Sequence, residues 1–271
     1  VASAIFTKEK RMIFGKYAVL MILISFASSA LSKGGDLTSP KLTEVWQPVK
    51  KIQTNDVPSD AIVLFDGTNA GSWEHANGKL IGQPVKWDIE NGVMTIAPRT
   101  KGPQNIRTKE KFCDMQLHIE WRIPNSLKNK QGQRDGNSGI FIQGRYEVQI
   151  LNSYNNETYA NGQAGAIYKQ SIPLVNASKP VMEWQSYDII YKAPKFDDKK
   201  ALTEPAFITV LHNGVLIQNH TEILGSTVAR GTPTYVAHGC EAITLQDHGS
   251  QVSFRNIWLR KLNTPHIVLN Y

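Results

Sequence analysis

The feature that most constrains the fold is a series of short runs of β-forming residues, each bounded by turn signals. Asn-Gly pairs at 91–92 and 213–214 each separate two such runs, and Asn-Gly between apolar runs is a strong signal for a β-hairpin. No run shows the periodicity of an amphipathic helix longer than about two turns. The pattern predicts an all-β protein, an antiparallel sandwich of the jelly-roll kind, rather than an α/β fold. The predicted strands are 61–65, 87–90, 92–96, 115–122, 138–142, 146–150, 184–191, 207–211, 215–217, 242–245 and 252–259.

The N-terminal region has the layout of a secretory signal peptide. Lys16 precedes an almost unbroken apolar run at 17–26, and small residues at 27–30 suit cleavage after Ala30. The run is too short for a stable transmembrane helix, so we expect export to the periplasm or the extracellular space, with no membrane span after processing. An uncleaved N-terminal anchor is the alternative. The residues before Met12 are interpreted as sequence upstream of the true start.

The chain is therefore divided into one folded domain and its flanking segments. Turn-forming residues such as Gly34, Gly35 and Pro40 mark the region before the first predicted strand as irregular. The predicted segments are upstream residues and signal peptide at 1–30, a linker or lead-in at 31–60, the β domain at 61–262 and a C-terminal tail at 263–271.

The charge balance gives no reason to expect a nucleic-acid partner. The chain has 30 Lys and Arg against 23 Asp and Glu, a net charge of +7. Without residues 1–30, 26 basic and 22 acidic residues remain, a net charge of +4. No Lys/Arg stripe interleaved with aromatic residues follows any predicted strand.

Cysteine use leaves two questions open. Cys113 and Cys240 are the only cysteines; they could pair in an oxidising compartment, but their spacing does not decide it. No Cys/His cluster has the spacing of a zinc site. No cofactor is predicted with certainty, and a divalent cation such as Ca²⁺ stays open because its oxygen ligands can come from several loops.

Two strands carry polar groups that have no obvious structural role. In the strand 146–150, alternation places Glu147 and Gln149 on one face, opposite Tyr146, Val148 and Ile150. Such a face could simply contact solvent. A second group follows the strand 242–245, where Gln246 and His248 project together and Asp247 opposes them.

The two groups are expected to meet. In a sandwich the apolar side of every strand faces the other sheet, so the polar sides leave the core together. If the strands belong to one curved sheet, Glu147 and His248 share a pocket, and the following strand brings Arg255 to it. The alternative is that they lie on different sheets and face solvent independently, and a lone His on a strand is more often structural than catalytic.

Several of these segments occur together, in this order, in a known family. They are Leu-Phe-Asp-Gly-Thr at 64–68 followed by Trp73, Asn-Ser-Gly-Ile at 137–140, Tyr-Glu-Val-Gln-Ile at 146–150, Gly-Ala-Ile-Tyr at 165–168, Val-Leu-His-Asn-Gly-Val at 210–215, Leu-Gln-Asp-His-Gly at 245–249 and Phe-Arg-Asn-Ile-Trp at 254–258. Over residues 61–262 the chain resembles the 3-keto-disaccharide hydrolase domain family of secreted bacterial proteins. The resemblance implies a concanavalin-like β-sandwich and cleavage of glycosides whose sugar carries a ketone at C3.

The implied chemistry needs a base near C2, a stabiliser for the C3 enolate oxygen and an acid at the leaving oxygen. Glu147 or His248 is the candidate base, Asp247 completes the acid–base set, and Arg255 or a bound cation would stabilise the enolate. The candidate substrate-binding residues are Asn137, Gln149, His212 and Gln246, with Tyr168 and Trp184 as stacking platforms. A non-catalytic, lectin-like glycan-binding module is the main alternative, and a cell-surface interaction module is a weaker one.

Overall fold

The computed structural model describes residues 48–99, 103–125 and 130–262. The predicted signal peptide and C-terminal tail, and most of the predicted lead-in, lie outside these ranges. The strands are β1 (Ile62–Phe65), β2 (Trp73–His75), β3 (Asp88–Glu90), β4 (Val93–Thr95), β5 (Ile106–Thr108), β6 (Met115–Arg122), β7 (Ser138–Ile142), β8 (Tyr146–Ile150), β9 (Gln185–Lys192), β10 (Lys195–Phe196), β11 (Leu202–Glu204), β12 (Phe207–His212), β13 (Val215–Glu222), β14 (Thr244–Leu245) and β15 (Ser253–Lys261).

The strands form two main antiparallel sheets, which confirms the predicted concanavalin-like sandwich. The eight-stranded sheet has the order β13-β12-β9-β6-β15-β4-β3, and β1 also pairs with β15. The five-stranded sheet has the order β2-β5-β14-β7-β8, and β10 and β11 form a separate ribbon. Helical structure in the described ranges consists of three short 3₁₀ turns. Within the same ranges, no helix combines the length and the hydropathy needed to cross a membrane.

Strict alternation along β6 shows how the sequence builds the core. Met115, Leu117, Ile119 and Trp121 are fully buried, whereas the polar residues between them are partly exposed. Burying each large apolar side chain contributes about 1.5–3 kcal/mol. A shift of register by one residue would expose this whole set, so the alternation also fixes which face of β6 meets the other sheet.

Tyrosine hydroxyls from the eight-stranded sheet cross the core and bond to the five-stranded sheet. Tyr187 donates to the main-chain oxygen of Gln149 at 2.9 Å, and Tyr191 donates to Gln143 Oε1 at 2.8 Å. A buried phenol needs such a partner. The first bond also ties β8 to the eight-stranded sheet.

The structure joins Cys113 and Cys240 in a disulfide, with an S–S distance of 2.00 Å. The bridge links the chain just before β6 to the chain just before β14, across 127 positions of sequence. It therefore closes a long loop, which limits the freedom of the unfolded chain.

Differences between predicted and observed strands have local causes. The strands β2 and β5 were not predicted, because three residues are too few to show a period. The predicted strand 215–217 continues to Glu222, through register irregularities against β12 that interrupt the alternation. β14 contains only Thr244 and Leu245, so the Gln-Asp-His segment lies just beyond its end.

Candidate functional site

A pocket of about 190 Å³ lies on the outer face of the five-stranded sheet. Six of the predicted site residues line it, from β8, from the turn before β7, from the segment after β8 and from the chain beyond β14. The lining residues are Asn137, Phe141, Glu147, Gln149, Tyr168, Thr227, Ala229, Gln246 and His248. The structure thus places Glu147 and His248 in one pocket.

Glu147 reaches the pocket because the neighbouring strand carries a glycine. On β8, Tyr146, Val148 and Ile150 are buried towards the core, so alternation turns Glu147 to the other face. On β7, a Cβ atom at Gly139 would overlap the Oε1 atom of Glu147. Any side chain at Gly139 would therefore displace the carboxyl group.

The environment of Glu147 favours its neutral form. The residue is only 5% exposed, and no described residue forms an ion pair with it within 4.0 Å. Burial raises the pKa of Glu147 to about 8. When Gln149 Nε2 donates to Gln133 Oε1, the amide oxygen of Gln149 lies 3.3 Å from Glu147 Oε1. At neutral pH most of this carboxyl group is protonated, so it can donate a proton to a bound molecule.

The environment of His248 also favours the neutral form, but a neutral imidazole acts as a proton acceptor, whereas a neutral carboxyl group acts as a proton donor. Surrounding protein atoms, and then the positive charge of Arg99, lower the pKa of His248 below its usual value. The lowered pKa favours the neutral ring at pH 7, and the residue is exposed to solvent. A neutral imidazole at the pocket wall can accept a proton.

Asp247 holds the segment on which Gln246 and His248 lie. Its Oδ1 accepts hydrogen bonds from Arg99 Nε at 3.0 Å and from the backbone N–H of Gly249 at 2.8 Å. Its Oδ2 accepts from the backbone N–H of Gln104 at 2.9 Å. Asp247 is 1% exposed and does not line the pocket, and its hydrogen bonds hold the segment that carries Gln246 and His248.

The amide side chains of the pocket differ in how many of their polar atoms have hydrogen-bond partners within the protein. Asn137 Nδ2 donates to the main-chain oxygen of Gln133 at 2.8 Å, and Gln149 Nε2 donates to Gln133 Oε1 at 3.0 Å. The buried Oε1 of Gln246, in contrast, has no hydrogen-bond partner among the described residues. Gln246 can therefore accept a hydrogen bond from a bound hydroxyl group.

Tyr168, which lines the pocket, lies beside Tyr159 and Lys169. The hydroxyl oxygens of Tyr159 and Tyr168 are 2.6 Å apart. Lys169 Nζ lies 5.6 Å and 5.8 Å from the centroids of the two rings. Burial, and then the hydrogen bond to Tyr168, raises the pKa of Tyr159 above its usual value. Tyr159 therefore keeps its proton and can donate it to Tyr168, which leaves the Tyr168 hydroxyl hydrogen for the pocket.

Comparison with known protein families identifies the domain. Residues 60–260 match the model of the 3-keto-alpha-glucoside-1,2-lyase-like domain. The chain belongs to this family. The short motifs of the sequence indicate nearly the same range, 61–262. Membership of the lyase-like family supports a carbohydrate-active function.

Solved structures with the same fold agree with this membership. A "putative glycosyl hydrolase" from Parabacteroides distasonis is 46% identical, with a TM-score of 0.74 over 83% of this chain and 97% of that chain. Two further structures from that organism, with the same description, are 19% and 20% identical, with TM-scores of 0.53 and 0.50. They cover 75% and 74% of this chain and 94% and 99% of their own. These two show the fold alone. No match was found among curated proteins.

Besides Asp247, three predicted site residues lie outside the pocket of this lyase-like domain. Arg255 and Trp184 lie on the outer side of the eight-stranded sheet, where Arg255 Nε pairs with Glu120 Oε2 at 2.6 Å and Arg255 Cζ lies 4.1 Å from the Trp184 ring centroid. His212 is 1% exposed, and its Nε2 lies 2.8 Å from Gln185 Oε1. The physical reason is pairing: β15 joins β6 in the eight-stranded sheet, so its polar side faces away from β8.

Three pocket residues were not predicted. Phe141 alternates with the buried Ile140 and Ile142 on β7, so a strict reading of alternation could have found it. Thr227 and Ala229 lie in irregular chain after β13, where no period exists to follow. Thr227 also accepts a hydrogen bond from the backbone N–H of Glu147 at 3.0 Å, which helps to hold β8 at the pocket.

The types of side chain in the pocket bear on whether it could bind a divalent cation, a question that the sequence left open. In residues 48–99, 103–125 and 130–262, no three His, Cys, Asp or Glu side chains cluster so that they could hold a metal ion. The pocket contributes one carboxyl group, one imidazole and neutral amides.

Proposed function

We propose that the domain cleaves glycosides whose sugar carries a ketone at C3, by elimination across C2 and C1 followed by hydration. The observation that carries the proposal is that Glu147, a buried carboxyl group with a raised pKa, and His248, an imidazole with a lowered pKa, line one pocket of a lyase-like domain. Two titratable groups whose environments favour opposite proton-transfer roles make an acid–base pair.

In the first step, His248 takes the proton from C2. The electron pair of that C–H bond forms the C1–C2 double bond, and the bond between C1 and the leaving oxygen breaks. Glu147 gives its proton to the leaving oxygen, so the second product leaves as a neutral alcohol. The C3 ketone makes this possible because the carbanion at C2 is delocalised as an enolate. The amide groups of Asn137, Gln149 and Gln246 hold the sugar hydroxyl groups.

The enolate oxygen needs a hydrogen-bond donor, and we assign that role to the Tyr168 hydroxyl. Arg255, the candidate from the sequence, lies on the other sheet. The Tyr159 hydroxyl at 2.6 Å can donate to Tyr168 and so strengthen it as a donor. Lys169 beside both rings adds a positive charge near Tyr168.

In the second step, water adds to C1 of the enone. The double bond is conjugated with the C3 ketone, so C1 accepts the hydroxide oxygen and C2 takes back a proton. The protonated His248 supplies that proton, and the ionised Glu147 takes one from the water. Both groups thereby return to their starting states, and the products are a free 3-keto sugar and an alcohol.

The location of the new C2 hydrogen tests this mechanism. Cleavage in D₂O should yield a 3-keto sugar with deuterium at C2, because the imidazolium of His248, which is exposed to solvent, exchanges its proton with D₂O before it protonates C2. Mass spectrometry and NMR of the product at early times would measure it, with the same product incubated without enzyme as the control for spontaneous exchange. Cleavage without deuterium at C2, together with an unchanged rate for a substrate deuterated at C2, would indicate an ordinary oxocarbenium mechanism instead.

The same acid–base pair predicts a bell-shaped pH dependence of kcat/KM. His248 must be neutral, so activity rises with pH through its lowered pKa. Glu147 must be protonated, so activity falls as pH rises through about 8. Initial rates between acidic and alkaline pH would measure both limbs. An alkaline limb that persists in an active variant lacking the Glu147 carboxyl group would contradict the assignment.

We also propose that the protein is exported. The proposal is supported by the predicted signal peptide and by the Cys113–Cys240 disulfide, since stable disulfides are characteristic of oxidising compartments.

A further inference from the structure

A second and larger pocket, of about 470 Å³, adjoins the first on the same face of the five-stranded sheet. It is formed by the segment after β2, the strands β5 and β14, and the turn between β7 and β8. Its lining residues are Ala76, Asn77, Asn105, Arg107, Phe141, Gln143, Gly144, Arg145, Glu241, Ala242 and Thr244. Phe141 lines both pockets, so its ring stands at their common border.

Strand pairing gives the distance between the two pockets. Thr244 on β14 pairs with Phe141 on β7, and Phe141 pairs with Glu147 on β8. These three side chains therefore form one row across the sheet, with Thr244 in the second pocket and Glu147 in the first. Neighbouring strands are about 4.8 Å apart, so Thr244 and Glu147 are separated by about 10 Å. This is comparable to the length of two linked sugar rings.

The second pocket contains polar groups that the protein leaves unsatisfied. Asn77 Oδ1 and Arg145 Nε are buried and have no hydrogen-bond partner in the described part of the chain. The other charged side chains of the pocket are already paired, Arg107 with Glu74 at 2.8 Å and Glu241 with Lys111 at 2.9 Å. Buried polar groups normally have partners. One acceptor and one donor, both unmet, suit a ligand that carries several hydroxyl groups.

We infer that the second pocket binds the leaving group of the glycoside and selects a second sugar ring there. The inference rests on the proposed function, in which the first pocket holds the 3-keto sugar and Glu147 protonates the leaving oxygen. Rotation of the Asn77 and Arg145 side chains, which line the pocket, would turn Asn77 Oδ1 and Arg145 Nε towards hydroxyl groups of the second ring. Phe141 would contact the linkage between the rings. A small alcohol such as methanol would reach none of these groups.

Comparison of two substrates tests the inference. The substrates are a 3-keto-disaccharide and the methyl glycoside of the same 3-keto sugar, and the variants are Asn77→Leu and Arg145→Met. Each variant should lower kcat/KM for the disaccharide by about 10-fold or more, because it removes a hydrogen bond to a buried partner. Each should leave kcat/KM for the methyl glycoside within about twofold. Arg255→Met, on the other sheet, is the matched control and should change neither value.

Equal losses with both substrates, or no loss with the disaccharide, would overturn the inference. If the wild-type protein cleaves neither substrate, the proposed function fails, and the second pocket is then tested by binding. Calorimetry with the unoxidised disaccharide should then show weaker binding to Arg145→Met than to the wild type and to Arg255→Met. Equal affinity of all three proteins would overturn the inference independently of catalysis.

Discussion

Replacement of Glu147 by Gln should lower kcat for a 3-keto-disaccharide by about 10²- to 10⁴-fold, the usual contribution of a positioned acid or base. The amide keeps the shape of the carboxyl group but cannot protonate the leaving oxygen. It also keeps the hydrogen-bonding capacity beside Gln149, so KM should change little. Steady-state kinetics on purified protein, with circular dichroism to verify the fold, would measure both effects.

Matched variants separate the acid from a general loss of structure. His248→Ala should cause a loss of similar size, because it removes the base of the same step. Glu120→Gln changes a carboxylate that pairs with Arg255 on the other sheet and should leave kcat nearly unchanged. Unchanged activity in both Glu147→Gln and His248→Ala would contradict the assignment. A wild-type protein that binds glycans but does not cleave them would favour a lectin-like module.

The same substitution should not destabilise the fold. A carboxyl group whose pKa rises from 4.5 in the unfolded chain to about 8 in the folded protein binds more protons when folded. Its contribution to stability therefore falls as pH rises between those values, by on the order of 3 kcal/mol at pH 7. The neutral amide of the Glu147→Gln variant carries no such cost, so thermal unfolding of this variant at neutral pH should occur at the same temperature as for the wild type or a higher one. A buried carboxyl group retained at this cost is typical of a functional site.

The sequence predicts the polar face of β8 well, because alternation is a local property of one strand. The positions of Tyr146, Val148 and Ile150 determine that Glu147 and Gln149 point the other way. The sequence does not predict that Gly139 lies against the carboxyl group of Glu147. A glycine within a strand signals a close approach of another group, but it does not say which group, since that depends on the register between β7 and β8.

The error over Arg255 has a different origin. Alternation shows which side of β15 is polar, but the partner of β15 is β6, more than 100 residues away in sequence. Sheet membership is a property of long-range pairing, and nothing local to 254–258 encodes it. The sequence predicts His212 in the substrate site, whereas the structure buries it. His212 is the last residue of β12, beside a hairpin turn, and its side chain lies in the core.

The chemistry of the proposed reaction depends on the ketone of the substrate. The hydrogen on C2 is acidic only when C3 is a carbonyl carbon, because only then is the negative charge delocalised onto oxygen. In the parent disaccharide the same carbon bears an ordinary, very weakly acidic hydrogen, and an imidazole cannot remove it. The pocket contains a single carboxyl group, Glu147, whereas a standard glycosidase uses two. We therefore expect the parent sugar to be inert.

The most direct test is to incubate the protein, in parallel, with a 3-keto-disaccharide and with its unoxidised parent, and to measure released monosaccharide over time. The account predicts release from the 3-keto-disaccharide alone, with the release lost in Glu147→Gln. Comparable release from both sugars would contradict ketone-dependent elimination and would assign the pocket to ordinary glycoside hydrolysis.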